Sequence, residues 1–393
     1  MSRSIKRAAI DQVLKDAVDS GAVPHVAAIA ADADGVFYEA GFGPRVAGQD
    51  GEVSAGTEFA IMSMTKMLVT VAALQLVEQG RLDLDAPVDA YRPEFAEVKV
   101  LEGFDGDTPR LRAPASRATV RHLVTHTSGL AYWFWDENVA RYEQLTGLPN
   151  VVPGLIDAFT VPMVADPGTR FVYGINTDWL GRVVEAVTGQ GLDVVVKEAI
   201  TAPLGMDSTS FTLTAGQAAT RAAVHVKDEN GHWFDAGDVV NRTDPDWWAG
   251  GHGLYSTPRD YVRFERALLR GGELDGTRIL ARDTVDQAFR NQIGELDFPA
   301  EIPTADPASS GPLSLGPGYK WGYGLLLNTA DQPGRRRAGS GAWAGLFNTH
   351  FWIDRTTGIC ASIYSNSLPF IPPEGLQLYL DYETALYAAL VGS

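Results

Sequence analysis

Apolar residues in this chain recur at helical spacing first, then at strand spacing, then at helical spacing again. Over residues 5–20, Ile5, Ala8, Ile10, Val13, Leu14 and Val18 form one stripe, which predicts an amphipathic helix; Gly21 closes it and Pro24 follows. Residues 25–31 and 36–42 read as two strands around the turn Asp32-Ala-Asp-Gly35, a hairpin signature. The run 67–79 is apolar almost without interruption and ends at Gly80, which predicts a helix buried nearly all round. Shorter helices are expected at 119–126 and at 178–188, the second with Leu180, Val183, Val184 and Val187 on one face. Toward the C-terminus, residues 320–328, 348–354 and 358–366 read as strands, and a closing helix is expected over 376–390.

Strands at both ends with helices between them predict an α/β (α+β) fold. One antiparallel sheet is built from both chain termini and flanked by helices, with a helical middle domain inserted. The expected boundaries place residues 1–86 and 249–393 in the sheet domain and residues 87–248 in the helical one, with the site in the cleft between. Two stretches rich in proline, glycine and acids, 228–246 and 293–318, are expected to be long loops at its rim. No internal repeat or low-complexity tract interrupts this plan.

The chemistry enters at Ser63-Met64-Thr65-Lys66, the S-x-x-K that opens the buried helix. A hydroxyl there meets the positive end of the helix dipole, and a lysine three residues on lies on the same face, within hydrogen-bond reach. As a neutral amine it takes the proton; protonated, it stabilises the alkoxide. The plain alternative is a polar helix start with a surface lysine. A solvated lysine has little reason to sit at the mouth of a buried helix, because burial is costly without a partner or a lowered pKa.

Two further pieces suit a serine nucleophile. Arg170-Phe-Val-Tyr-Gly-Ile-Asn-Thr-Asp178 is a turn running into a helix, with Tyr173 just ahead of it. A phenol near an ammonium is expected to ionise below its usual value of about 10 and to act as general base. Gly339-Ser-Gly-Ala-Trp-Ala-Gly-Leu346 is a glycine-rich bend expected to feed the strand through Trp352 and to bring a backbone N–H to a reacting carbonyl. Alone, each has a structural reading too: a tyrosine anchoring a loop, and a tight hairpin.

Taken in order, these segments resemble the serine β-lactamase and penicillin-binding protein superfamily, nearest to class C β-lactamases and family VIII carboxylesterases. Arg121-His-Leu-Val-Thr-His-Thr-Ser-Gly-Leu-Ala-Tyr-Trp133, Ala202-Pro-Leu-Gly-Met206 and Trp248-Ala-Gly-Gly-His-Gly-Leu-Tyr-Ser-Thr-Pro258 are also similar to family segments and fall in family order. The resemblance spans roughly residues 5–390 and implies a class C β-lactamase-like fold. It implies Ser63 as the acylated nucleophile, Lys66 as its partner and Tyr173 as the tyrosine of the Y-x-N element. Here Asn176 comes three residues after Tyr173 instead of two, so its substrate-binding role is uncertain by position. The usual K-T-G or H-x-G reads Trp343-Ala344-Gly345, with the backbone N–H groups of Leu346 and Ser63 as oxyanion donors.

Trp343 replaces a cation with an apolar face and a single N–H donor, which suits uncharged esters and the esterases of the group. Substrate-binding candidates are Trp343, Gly345, Tyr132, Trp133, Asn176, Trp248 and His252. Phe134, Trp135 and Trp247 are expected in loops that face the site.

Charge and composition narrow the alternatives. Forty-nine acidic against 32 basic residues leave a net charge of −17, which disfavours nucleic acid and anionic membrane surfaces as partners. Cys360, the single cysteine, precludes an intrachain disulfide and sits in an apolar run expected to be a strand. No segment resembles a signal peptide or a bilayer span, and a cytoplasmic location is expected. There is no G-x-S-x-G elbow, phosphate loop or dinucleotide fingerprint. His122 and His126 lie four apart without the glutamate of H-E-x-x-H, so neither metal nor cofactor is expected. His350 is read as a satisfied or supporting histidine.

The expected activity is a serine carboxylesterase acting on small to medium, uncharged, fairly apolar esters through an acyl-enzyme. The alternatives are a β-lactamase, a D-amino-acid amidase or peptidase, or an acyltransferase on the same machinery, and a slowly deacylating penicillin sensor.

Overall fold

Strand β1 (Val26–Asp32) shows no alternation of polar and apolar residues because both its faces are covered. Ala27, Ile29 and Ala31 point into the main core, whereas Val26, Ala28 and Ala30 point into a second core formed with the terminal helices. The computed structural model describes residues 5–237, 239 and 245–391. Its main sheet has seven strands, β1 and β2 (Val36–Phe42) from the N-terminal part and β3 (Tyr319–Trp321), β4 (Leu326–Asn328), β5 (Gly341–Gly345), β6 (Thr349–Asp354) and β7 (Ile359–Tyr364) from the C-terminal part. They run in the order β3-β4-β5-β6-β7-β1-β2, every neighbour antiparallel, with Ala27 opposite Tyr364 where the two ends of the chain meet. The shared sheet is therefore the mixed α/β arrangement that the sequence predicts.

Helix α1 (Ala8–Asp19) buries Ile10 and Leu14 on the outer face and packs against the closing helix, Pro373–Val391. The inner face carries α2 (Thr65–Glu78), in which eleven of fourteen residues are buried; it is the hub of the main core. Against α2 pack α3 (Val120–Val124), capped by Thr119, through α4 (Asn176–Thr188), and α5 (Pro258–Leu269) covers β1 and β7. The closing helix is α6.

Three local expectations change. Residues 320–328 form two strands and not one, because the chain turns at Gly322-Tyr-Gly324: a Cβ on Gly322 would lie 1.9 Å from the Ala288 carbonyl oxygen, and Gly324 has φ +74°. The bend at 339–346 is itself mostly strand, β5, paired with β6 from Gly341 to Gly345. Ser63 lies not in α2 but in a separate 3₁₀ turn, Met62–Met64, just before it. The expected loop 293–318 carries the short strands Glu301–Ile302 and Leu313–Ser314, and that at 228–246 lies partly outside the described residues. Cys360 is buried in β7. Among the described residues no helix is long and apolar enough to cross a membrane.

Candidate active site

Ser63 is held by a turn that the backbone strains to make. Met62, just before it, has φ +46°, in the left-handed region that β-unbranched side chains enter only at a cost. The turn is tied down on both sides. Ile61 N–H donates to the Leu254 carbonyl at 3.1 Å, and Tyr261 donates its hydroxyl to the Met64 carbonyl at 3.0 Å. Gly345 presses on it from β5. A Cβ there would lie 2.3 Å from both the Ile61 carbonyl oxygen and the Thr349 hydroxyl, so only glycine permits this approach. Leu346 follows immediately and lines the same cleft as Ser63.

Lys66 emerges one helical step above the serine. Its Nζ donates to Ser63 Oγ at 3.0 Å, to the Tyr132 hydroxyl at 3.0 Å and to the Gly251 carbonyl at 2.8 Å. It is 1% exposed, which decides its charge state: burial pulls its pKa down to about 7, against the attraction of the Asp178 carboxylate. The amine is thus poised near neutrality to take a proton from the adjacent hydroxyl. Asp178 completes the cluster. It accepts the Gly251 N–H at 2.7 Å and the Tyr132 O–H at 3.3 Å, and His252 Nδ1 lies 3.7 Å away.

Tyr173 sits beside this group as expected, with Lys66 Nζ 4.9 Å from its ring centre, but its ionisation is the reverse of the expectation. Burial pushes the phenol well up, outweighing the hydrogen-bonding influence of Ser63 and of the Trp343 indole. The cause is the phenol's own desolvation, to which the Asp178 carboxylate adds. A neutral Tyr173 is a proton donor at ordinary pH, and Lys66 is the neighbouring group able to accept a proton.

The remaining candidates divide. Tyr132, Trp133 and His252 line the Ser63 cleft, a narrow opening of about 20 Å³. Trp248 lines a neighbouring shallow depression together with Trp247 and Phe211; Val152 and His252 border both. Asn176 does not reach the cleft. It is fully buried at the start of α4, with its amide donating toward His126 Nδ1 at 3.0 Å and to the Leu130 carbonyl at 3.2 Å. The extra residue between Tyr173 and Asn176 turns it toward the core instead. Trp343 also works from behind: its Nε1–H donates to the Tyr173 hydroxyl at 2.9 Å, and its ring packs edge-on against Trp321. Of the aromatic run, Phe134 lines the cleft while Trp135 turns away and donates to Ser310 Oγ at 3.0 Å in the long loop. His122 closes the cap of α3 with Thr119.

Asp178, Gly251 and the contact of Tyr132 with Lys66 were not legible as chemistry in the sequence. The available signal was Asp178, an acid in the first turn of an amphipathic helix, and the doubled glycine ahead of His252. A Cβ on Gly251 would lie 2.4 Å from Asp178 Oδ2, so this position admits glycine alone.

With the geometry in place, comparison with known proteins is informative. The β-lactamase family model matches residues 10–386. The chain belongs to the β-lactamase family. Among its relatives, the monacolin J acid methylbutanoyltransferase of Aspergillus terreus is 32% identical over 96% of this chain and 95% of its own length. The lovastatin esterase of Penicillium rubens is 33% identical over 89% of this chain and 90% of its own. The unliganded simvastatin synthase LovD from Aspergillus terreus superposes with a TM-score of 0.83 at 30% identity, covering 96% of this chain and 97% of that one. This member of the β-lactamase family is accordingly an enzyme of the serine hydrolase and acyltransferase kind.

Proposed function

We propose that the protein cleaves small to medium, uncharged esters through an acyl-enzyme on Ser63, as a carboxylesterase. The observation that carries this reading is the 3.0 Å contact between Ser63 Oγ and a lysine whose burial lowers its pKa to about 7. Lys66 takes the hydroxyl proton as Oγ attacks the ester carbon. The oxyanion is received by the backbone N–H groups of Ser63 and Leu346. Tyr173, protonated and 2.9 Å from the indole nitrogen that orients it, gives its proton to the departing alkoxide. In deacylation the steps reverse, with water delivered against the same phenol.

Substrate class follows from the cleft. None of the described residues lining it carries a formal charge at neutral pH; its walls are Met62, Trp133, Phe134, Val151 and Leu346 around the polar Ser63, Tyr132 and His252. Such a surface favours a neutral, apolar acyl group and offers no partner for the carboxylate of a β-lactam. In this reading the cleft divides a sheet-bearing part, residues 1–86 and 249–393, from a helical part, residues 87–248. The enzyme is cytoplasmic and works without metal or cofactor on a small-molecule ester.

A second reading, acyl transfer to an alcohol, is favoured by the methylbutanoyltransferase that resembles nearly the whole chain. The same acyl-enzyme serves both, and the outcome depends on whether water or an alcohol reaches it. Turnover of p-nitrophenyl butyrate with and without an added apolar alcohol separates them. Release of butyrate at a rate indifferent to the alcohol supports the esterase; butyryl ester formed at the expense of butyrate supports the transferase. No turnover of either kind contradicts both.

A further inference from the structure

A cavity of about 110 Å³ lies between strands β4 to β6 and helix α6, and among the described residues it shares no lining residue with the Ser63 cleft. Leu326 and Ala342 are direct partners across β4 and β5, as are Ala344 and His350 across β5 and β6; all four line it. Helix α6 supplies Leu376, Tyr379 and Leu380 as the opposite wall. Trp135 and Trp343 close the end nearest the catalytic cluster, their ring centres 5.5 and 4.8 Å from that of Tyr173. The cavity is therefore one aromatic layer away from the reaction without being part of it.

Two polar features inside are left over by the protein's own bonding. His350 is 6% exposed, and its Nε2 has no hydrogen-bond partner among the described residues. Its ring is fixed by stacking on Tyr379 at 4.4 Å and on Phe370 at 5.8 Å, so the imidazole does not turn away to find one. A buried polar atom without a partner is costly, and a ligand oxygen or hydroxyl that reached it would recover that cost. The second feature is an unbalanced charge. Arg335 and Arg336 both line the cavity and no aspartate or glutamate does, in a chain of net charge −17. Glu383 engages Arg336 through both its oxygens at 2.8 Å and reaches Arg335 only at 3.8 Å, so one carboxylate answers two guanidinium groups.

We propose that this cavity is a second ligand site, separate from the Ser63 cleft, that takes an aliphatic monocarboxylic acid. The apolar chain lies against Leu313, Leu326, Leu376 and Phe370, the carboxylate answers the excess charge of Arg335, and His350 Nε2 meets an oxygen of the ligand. His350 remains uncharged there, its pKa pulled down to about 3 by burial and by Arg336. It thus adds one neutral hydrogen bond and no second charge, which matches a single carboxylate. This assignment goes beyond the reaction at Ser63 and does not depend on which acceptor the acyl group meets.

Calorimetric titration of sodium decanoate into the Ser63→Ala protein tests it without interference from turnover. The expected result is one saturable site, present equally in the unmodified enzyme. His350→Phe and Arg335→Gln should each weaken it about tenfold or more, the size of one lost hydrogen bond to a charged group. Leu326→Trp, filling the cavity from a half-buried position on β4, should abolish it, while hydrolysis of p-nitrophenyl acetate is unchanged in all three variants. Arg335 is at the mouth and its replacement does not threaten folding, so that variant carries the test if the others are unstable. Absence of saturable decanoate binding, binding indifferent to Arg335→Gln, or binding displaced only by ligands of the Ser63 cleft would overturn the proposal.

Discussion

Trp343 donates its indole N–H to the phenol oxygen of Tyr173 across 2.9 Å, joining strand β5 to the turn that precedes α4. The bond occupies one acceptor lone pair of the phenol and leaves its own proton free to point at Ser63. Trp343 thus acts on the reaction through Tyr173, and its ring is removed from the cleft by packing on Trp321. Trp343→Phe, which keeps much of that packing, should lower kcat roughly tenfold by losing one oriented hydrogen bond, with little change in KM. A steady-state comparison that moved KM and not kcat would place the indole against substrate instead.

Tyr173→Phe is a harsher change at the same pair. It removes the proton donor to the leaving group and should cost about 10²-fold or more in kcat, as loss of general acid–base catalysis does. In the acylation rate, the cost should shrink for p-nitrophenyl esters, whose leaving group needs little protonation, and be greatest for simple alkyl esters. Equal losses for both substrate types would remove the proton-donor role.

The pH dependence separates two buried groups of opposite effect. Lys66 titrates at about 7 in the folded state against 10.5 ordinarily, so acylation should rise with pH through about 7 as the amine loses its proton. The same shift means that between about 7 and 10.5 the folded state binds fewer protons than the unfolded, and this group adds stability as pH rises. Pre-steady-state acylation rates between pH 5 and 9 check the first statement; a flat profile would contradict it.

Glu265 works the other way. It is fully buried on α5, and burial raises its pKa from 4.5 to about 8, outweighing the lowering influence of Ser362 and Cys360. Between those values the folded state keeps a proton that the unfolded state has lost, so stability falls as pH rises across that window. Glu265→Gln preserves shape without the proton and should flatten this slope in thermal unfolding measured from pH 5 to 8. An unchanged slope would show that the carboxylic acid is not the group responsible.

Gly251→Ala tests the cradle of Lys66. The added methyl would lie 2.4 Å from Asp178 Oδ2 and 2.8 Å from the Tyr132 hydroxyl, forcing apart the groups that hold the amine. Activity should fall by at least about 10²-fold, the effect of a reacting group displaced by an ångström, with the fold retained by circular dichroism. Near-normal turnover would show the cluster to be more compliant than its packing implies.

What the sequence disclosed and what it withheld follow from locality. The sheet shared by both termini was legible because β1 and β7 are near-continuous apolar runs buried on two faces. Ser63, Lys66 and Tyr173 were legible because each stands at a helix entrance with a recognisable neighbourhood. The Gly322-Tyr-Gly324 turn was hidden inside a run that reads as one strand. The partners of Lys66 were hidden because they are distant: Tyr132 is 66 residues away and Gly251 is 185. The direction of the Tyr173 shift was out of reach for the same reason, since it depends on how dry the assembled cluster is, which no local pattern records. Asn176 misled because an amide close to Tyr173 in sequence is turned into the core by the first turn of α4.

The central claim, acyl transfer through Ser63 activated by Lys66, is tested most directly by rapid-quench intact-protein mass spectrometry with p-nitrophenyl butyrate. The enzyme should gain one butyryl group within the burst, on the peptide that contains Ser63, and lose it again with turnover. Ser63→Ala should show neither adduct nor turnover, and Lys66→Met should form the adduct only slowly. A Ser63→Ala protein that hydrolyses the ester at the unmodified rate, or an adduct on any other residue, would contradict the account.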